Sequence, residues 1–105
     1  MTPTPTPAKR IEIIIEQPLL SRLADALTDA GATGWTATPV LAGDGRSGRW
    51  SRDGEVGTAS GLVQVVCVAA PERAGPILDA AFAVVSRHIG VVTVTDCTVL
   101  RRERF

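Results

Sequence analysis

The segment with the most chemical information lies in the middle of the chain, from Ala42 to Gly61 (AGDGRSGRWSRDGEVGTASG). It contains six of the ten glycines and three of the ten arginines. Glycine-rich backbone can approach a ligand closely and direct its N–H groups at an anion. Arginine supplies fork-shaped donors for phosphate or carboxylate. This composition predicts a loop that closes over a negatively charged ligand. A flexible loop without a ligand would have the same composition.

The densest part of this segment is Gly43–Arg49 (GDGRSGR), which combines three glycines, two arginines and a serine. It does not match a Walker P-loop, because no Gly-Lys-Ser/Thr follows its glycines. Trp50 could stack on a base or pack the loop down, and the sequence does not choose between these. A basic tail (RRERF) follows the last apolar run, where a solvated charged terminus is equally consistent with the sequence.

Other reactive side chains are few and scattered. His88 is the only histidine, and at a predicted helix end its imidazolium complements the helix dipole. Cys67 and Cys97 alternate with valines or threonines, which is typical of small core residues. Asp44 and Asp53 are more typical of turns than of metal ligands. We therefore predict no catalytic residues and no metal site.

Length, charge balance and the first eight residues exclude several further classes of protein. The chain has 105 residues, which is one domain, and eleven basic residues balance eleven acidic ones. That balance gives no reason to expect nucleic-acid binding. Residues Met1–Ala8 (MTPTPTPA) form neither a signal peptide nor a membrane span, and their prolines predict a disordered lead-in. A cytoplasmic location with reduced thiols is expected.

Four runs of residues with the pattern of β-strands position the central segment. The predicted strands are Lys9–Glu16, Trp35–Leu41, Leu62–Ala70 and Val91–Leu100. Pro39 cannot donate to a sheet ladder, so the second strand is expected at an edge. No strand or helix is expected in the central segment, because glycine costs about 0.5–1 kcal/mol more than alanine inside either element.

Two helical patterns separate these strands. The first begins at Pro18 and ends near Ala30, with Leu19, Leu23 and Leu27 on its apolar face and Gly31 as a left-handed cap. The second lies within Pro71–Ile89 and is ended by Gly90. Gly75-Pro76 predicts either a start near Pro76 or a kinked first turn. Its expected apolar face consists of Ile77, Leu78, Ala81, Phe82 and Val85.

The resulting order, βαββαβ, predicts a ferredoxin-like α+β fold with two helices on one face of a four-stranded antiparallel sheet. The first strand then lies between the third and the fourth, so the two cysteines occupy non-adjacent strands and cannot form a disulfide. No helix covers the other sheet face. Its apolar residues favour a symmetric oligomer.

Over residues 9–105 the chain resembles the PII signalling superfamily. The resemblance is carried by KRIEIIIE, LLSRLADALTDAGATGWTATPV, GDGRSGRW and VTDCTVLRR. GDGRSGRW is similar to the opening of the long T-loop of that family, between the second and third strands. The run AGATGWTATPVLAGDGRSGRW is especially similar to PII-like proteins linked to carboxysomes and inorganic-carbon uptake.

The resemblance implies a homotrimer that binds an adenine nucleotide between subunits. The positions that match the family's nucleotide site are Ile14, Thr36, Gly43, Gly45, Arg46, Val68, Gly90, Arg101 and Arg104. Backbone N–H groups and guanidinium groups over Gly45, Arg46, Ser47, Gly48 and Arg49 would suit bicarbonate, a small planar anion.

Two departures from PII proteins proper narrow the expected ligands. The Gly-rich loop with a triphosphate-binding lysine is replaced by SRHIGVV, so ADP or AMP is expected rather than ATP. Ser47 stands where those proteins have a glutamine that helps to place magnesium and 2-oxoglutarate. The chain also contains no tyrosine that could be uridylylated.

Three functions remain to be weighed. The first is a non-enzymatic sensor of adenine nucleotide, and of bicarbonate if it binds, that signals through its T-loop to an inorganic-carbon transporter or a carboxysome component. The second is a structural or metal-associated trimer similar to the divalent-cation-tolerance family, for which no ligand cluster is visible. The third is a small hydrolase, for which no nucleophile–base pair is visible.

Overall fold

Four apolar runs form one antiparallel sheet, which confirms the predicted ferredoxin-like α+β fold. The computed structural model describes residues 4–45, 48–51 and 61–100. In chain order the elements are β1 (Thr6–Glu16), a 3-10 turn (Gln17–Leu19), α1 (Leu20–Asp29), β2 (Thr36–Pro39), β3 (Ala42–Gly45), β4 (Gly48–Ser51), β5 (Leu62–Ala69), α2 (Pro71–Val85) and β6 (Gly90–Val99).

The sheet has the strand order β2-β5-β1-β6, so β1 is central and β2 lies at an edge. This confirms both the predicted place of the first strand and the edge position of Pro39. Cys67 on β5 and Cys97 on β6 are separated by β1, and both are free thiols.

The hydrophobic core lies between the helices and one face of the sheet, which we call the covered face. Ile11, Ile13 and Ile15 of β1 are fully buried there. Burying such a side chain is worth about 1.5–3 kcal/mol. Facing them across the ladder are Cys67, Val65 and Val63 of β5. The helices complete the core with Leu23, Leu27, Ala74, Ile77, Ala81 and Val85.

A left-handed glycine ends α1, as predicted. Gly31 has a φ of 106°. Its N–H donates to the Thr28 carbonyl at 3.1 Å, and the Ala32 N–H donates to the Leu27 carbonyl at 2.9 Å. This pair of bonds is a Schellman cap. The helix begins at Leu20 because Pro18 belongs to the preceding 3-10 turn.

Helix α2 starts at Pro71, within the predicted range, so the alternative of a start near Pro76 is wrong. Pro76 lies inside the helix and cannot donate to the carbonyl of Glu72. Phe82 was expected on the buried face but its side chain is 63% exposed. The stripe that is buried follows positions 74, 77, 81 and 85, and Phe82 lies on its flank. Leu78 is only partly buried.

Two predicted boundaries are also wrong. Gly90 does not end α2, which finishes at Val85, but begins β6. Thr6–Ala8 are not disordered, because they extend β1 and pair with Val99, Thr98 and Cys97. At Pro7 the strand has β6 on one side only, since pairing with β5 starts at Lys9. A proline is tolerated at such an edge-like position.

The central segment contains regular structure that its composition did not predict. β3 and β4 pair as a two-stranded antiparallel ribbon, in which Gly43 opposes Trp50 and Gly45 opposes Gly48. Ladder hydrogen bonds use backbone groups only, so strand pairing can override the low strand preference of glycine. Residues 46, 47 and 52–60 lie outside the described residues.

Candidate nucleotide and anion site

The sheet face turned away from the helices, which we call the open face, carries most of the described candidate residues. Residues directly opposed in the ladders share a face, and the register sorts them into rows. One row is Thr38, Gln64, Ile14 and Val91; the next is Thr36, Val66, Glu12 and Thr93; the third is Val68, Arg10 and Thr95. All of them are half-buried or exposed, so the open face combines valines and an isoleucine with a polar centre.

A charged pair lies at that centre. Arg10 Nη1 donates to Glu12 Oε2 at 2.8 Å. This hydrogen bond lowers the pKa of Glu12 from its ordinary value of 4.5, partial burial opposes the shift, and a hydrogen bond with Gln64 adds to it. Among the described side chains of the open face, Arg10 is the one positively charged residue, and Glu12 balances its charge. Positive charge for a phosphate must therefore come from elsewhere.

Three candidate nucleotide residues share the open face, but only two are neighbours. Thr36 opposes Val66, and Val68 lies two residues further along the same strand. Such diagonal positions are about 7–8 Å apart. Ile14 lies in the adjacent row, with β5 between it and β2. Two strand spacings place it about 10 Å across the sheet from β2.

The base of the long loop lies at one end of the sheet. The Val40 N–H donates to the Leu62 carbonyl at 3.0 Å, and the Gln17 N–H donates to the Gly61 carbonyl at 2.8 Å. Gly90 lies at this same end, opposite Ile15. The loop base, Ile14 and the start of β6 are therefore at one end of the subunit.

The last strand carries the chain to the opposite end. β6 has 10 residues, which corresponds to a length of about 30 Å. Arg101 follows Leu100 directly in the chain, and Arg101 and Arg104 lie outside the described residues. Because β6 runs away from the loop base, the end of β6 that precedes Arg101 is remote from Gly43 and Gly45. The described chain does not bring all candidate residues into one pocket.

The candidate glycines differ in whether packing within the subunit leaves room for a side chain. A Cβ atom at Gly90 would come within 2.6 Å of the Ile14 carbonyl oxygen, so packing requires glycine there. Gly43 is exposed, and a Cβ atom there would have nothing within 4 Å. Gly45, Gly48 and Arg49 belong to the β3–β4 ribbon, whereas Arg46 and Ser47 between the strands lie outside the described residues.

Sequence reasoning missed the polar residues of the open face. Glu12 interrupts the apolar run IEIII, and Gln64 interrupts LVQVV. A polar residue within an otherwise apolar central strand signals a face that is not buried in the core. Cys97 also lies on this face, opposite Ala8, and is half-buried, whereas Cys67 is a core residue whose thiol pKa is raised by burial.

Within the part of the chain that the structure describes, no group of three His, Cys, Asp or Glu side chains could hold a metal ion. No helix in that part has both the length and the apolar character to cross a membrane.

Comparison with known proteins agrees with the fold and the resemblance. The family model for nitrogen regulatory protein P-II matches residues 8–104. No curated protein sequence matches the chain. The structure of CPII, a nitrogen regulatory PII-like protein from Thiomonas intermedia K12 bound to ADP, AMP and bicarbonate, has a TM-score of 0.83 at 30% identity, covering 93% of this chain and 92% of that one.

Two further structures are similar. CPII from the same organism bound to ADP and bicarbonate has a TM-score of 0.79 at 31% identity, covering 93% of each chain. A putative PII-like signaling protein from Thermus thermophilus has a TM-score of 0.72 at 23% identity, covering 91% of this chain and 92% of that one, and shows the fold alone.

The chain therefore belongs to the nitrogen regulatory protein P-II family. Within it, the chain is similar to the PII-like branch to which CPII belongs. The family and CPII are both described as nitrogen regulatory proteins.

Proposed function

We propose that this protein is a non-enzymatic, homotrimeric sensor that binds ADP or AMP together with bicarbonate. The observation that carries the proposal is the similarity to CPII, which was solved with ADP, AMP and bicarbonate. The chain covers nearly the whole of that protein at 30–31% identity. A cytoplasmic protein that regulates an inorganic-carbon transporter or a carboxysome component is the role that fits these ligands.

The geometry of one subunit supports a site shared between subunits. The loop base lies at one end of the sheet, and β6 leads the chain towards Leu100 at the other. A neighbouring copy that presents its last strand to the loop base would bring the two sets together. The valines of the open face would be buried by such an assembly, which is a driving force for it.

In this arrangement the role of each residue follows from the chemistry of its side chain or backbone. Thr36, Val68 and Ile14 would contact the adenosine part of the nucleotide from the open face. Gly43, Gly45 and Gly90 would allow close backbone approach, and Arg46, Arg101 and Arg104 would bind phosphate. Ser47, Gly48 and Arg49, with Gly45 and Arg46, would bind bicarbonate beneath the T-loop.

Calorimetric titration tests the proposal. Wild-type protein is titrated with AMP, ADP and ATP, each with and without bicarbonate, and we expect ADP or AMP to bind more tightly than ATP. Arg101→Ala should weaken nucleotide binding roughly tenfold to a hundredfold, since a charge-assisted hydrogen bond contributes about 1.5–3 kcal/mol. Arg73→Ala, an exposed change on α2, is the matched control and should leave binding unchanged.

Arg46→Ala tests the coupling between nucleotide binding and bicarbonate binding. It should weaken nucleotide binding similarly and also abolish the effect of bicarbonate on it. Coupling between two bound ligands is reciprocal. Bicarbonate must therefore tighten nucleotide binding by the same factor as nucleotide tightens bicarbonate binding. A wild type that binds no adenine nucleotide would overturn the sensor and leave a structural trimer as the better account.

A further inference from the structure

The middle of the open face carries charge on a surface that the proposed trimer would bury. Arg10 and Glu12 lie two residues apart on β1, which has a strand on each side. Their side chains are 42% and 27% exposed, so both can be reached from outside the subunit. Gln64 on the adjacent strand β5 also forms a hydrogen bond with Glu12. We call these three residues the polar centre.

Valines and threonines lie beside the polar centre. On β5, Val66 lies opposite Glu12 and Val68 lies opposite Arg10. Two threonines of β6 lie opposite the same two residues on the other side of β1. These neighbours are half-buried or exposed in the subunit. An assembly that buries the valines must therefore bury the ion pair with them.

The ion pair has hydrogen-bonding capacity that one subunit does not fill. A guanidinium group has five N–H donors, and an ionised carboxylate accepts about four hydrogen bonds. Among the described residues, the Arg10 side chain donates to Glu12 only, and Glu12 accepts from Arg10 and Gln64. Water can fill the remaining positions while the open face is exposed. A molecule that covers this face must supply them itself, because a buried charge without partners is strongly unfavourable.

A second copy of this chain supplies the required groups. The polar centre presents one cation beside one anion, so its charges are complementary to those of another copy. In a closed ring of subunits, each copy offers one part of its surface to a different part of the next. Arg10 of one subunit can then face Glu12 of its neighbour. Side chains of the same charge brought together at the centre of the ring would instead repel each other.

We propose that the polar centre restricts self-assembly to copies with matching charges: in the trimer, Arg10 of each subunit bonds both its own Glu12 and Glu12 of the neighbouring subunit. This inference rests on the homotrimer of the proposed function, and it gives these residues a role in assembly rather than in ligand binding. The valines provide the apolar area that is buried. The charges exclude partners that lack the complementary pair, which is how buried polar groups give specificity.

Subunit exchange with a charge-swapped variant tests this inference. Arg10→Glu combined with Glu12→Arg keeps an ion pair within each subunit and keeps the charges complementary between two copies of the variant. In a mixed trimer, however, the introduced glutamate faces Glu12 of a wild-type neighbour, and the introduced arginine faces Arg10. Isotope-labelled wild type and the unlabelled variant are mixed, and native mass spectrometry counts the pure and mixed trimers.

We expect each protein to form trimers with itself, and mixed trimers to be roughly tenfold or more below random mixing, because like charges replace charge-assisted contacts. The matched control swaps a different ion pair, by Lys9→Asp combined with Asp96→Lys, and should mix freely with wild type. That pair is exposed and lies on the other side of β1. Circular dichroism establishes that each variant is folded.

Two single variants keep the inference testable if the swapped variant does not fold. Arg10→Glu alone and Glu12→Arg alone each bring like charges together between subunits. Each should therefore raise the dissociation constant of the trimer roughly tenfold or more. An equimolar mixture of the two restores complementary charges at most of the contacts and should be more trimeric than either variant alone. Sedimentation velocity measures the trimer fraction.

The possible outcomes separate this inference from the proposed function. A monomeric wild type would overturn the homotrimer and this inference with it. A trimeric wild type that mixes freely with the swapped variant would overturn this inference alone, and would confine the ion pair to a role within each subunit. Equal exclusion of the control variant, or no gain in trimer when the single variants are mixed, would also overturn it. A wild-type trimer that excludes the swapped variant but binds no adenine nucleotide would overturn the sensor and support this inference.

Discussion

The two faces of the central strand share a backbone but differ in what they bury. On the covered face, Ile11, Ile13 and Ile15 are fully buried beneath the helices. On the open face, Arg10, Glu12 and Ile14 are half-buried and include an ion pair. One run of residues thus carries the core on its odd positions and the candidate site on its even ones. The core and the candidate site are therefore separated by a single residue step along the strand.

The largest expected effect comes from truncating neighbouring isoleucines on opposite faces. Ile13→Ala should lower the free energy of unfolding by about 2–5 kcal/mol, because it leaves a cavity in the core. Ile14→Ala should cost less, because its side chain is half-buried. Urea unfolding at one protein concentration, monitored by circular dichroism, gives both values. Equal losses would show that the open face is packed as tightly as the covered one.

The second effect contrasts two glycines. Gly90→Ala places a methyl group within 2.6 Å of the Ile14 carbonyl oxygen, so the start of β6 must move. Overpacking of this kind costs about 1–3 kcal/mol. Gly43→Ala meets nothing within 4 Å and should change stability little. Thermal unfolding of both variants checks this, and an unchanged melting temperature for Gly90→Ala would contradict the close packing at that strand end.

A third effect concerns the exposed aromatic side chain on α2. Phe82→Ser should change the free energy of unfolding by less than about 0.5 kcal/mol, as exposed substitutions usually do. Ile77→Ala, at a fully buried position of the same helix, is the comparison and should cost about 2–5 kcal/mol. Chemical denaturation measures both. A large loss for Phe82→Ser would mean that another subunit covers this flank of the helix.

The smallest effect is the pH dependence of the open-face ion pair. The pKa of Glu12 is lowered in the folded protein, chiefly by the hydrogen bond from Arg10. The stability it contributes is therefore fully present above the ordinary value of 4.5 and is lost as the pH falls through the lower folded-state pKa. Glu12→Gln should be less stable than wild type at neutral pH, and the difference should shrink on acidification. A constant difference across denaturation curves from neutral to acidic pH would contradict this.

Much of the fold follows from local patterns. The spacing of Leu23 and Leu27 predicts the buried stripe of α1, and Gly31 predicts its cap. Patterns fail where pairing rather than propensity decides. The β3–β4 ribbon forms among glycines, and Pro7 joins β1 because only one of its sides faces a strand.

The candidate site was less accessible from the sequence. Family resemblance supplied its positions, but Gly90 also has a packing role at the Ile14 carbonyl that no composition argument predicts. The Arg10–Glu12 pair depends on which face of β1 remains open, and this becomes visible only once both helices are placed. The proposed roles of Arg101 and Arg104 rest on contacts between subunits of the proposed trimer, and a local sequence pattern does not encode such contacts.

The central position of β1 also affects how the chain is made. Ile11 is synthesised long before its ladder partners, Cys67 and Val94. Until then, the β-branched run IEIII has both edges unpaired, and such a segment is prone to pair with other chains. Folding dominated by distant contacts is also slow. Glu12 and the flanking Lys9, Arg10 and Glu16 place charge within and beside this run, and we expect these charges to reduce aggregation of the nascent chain.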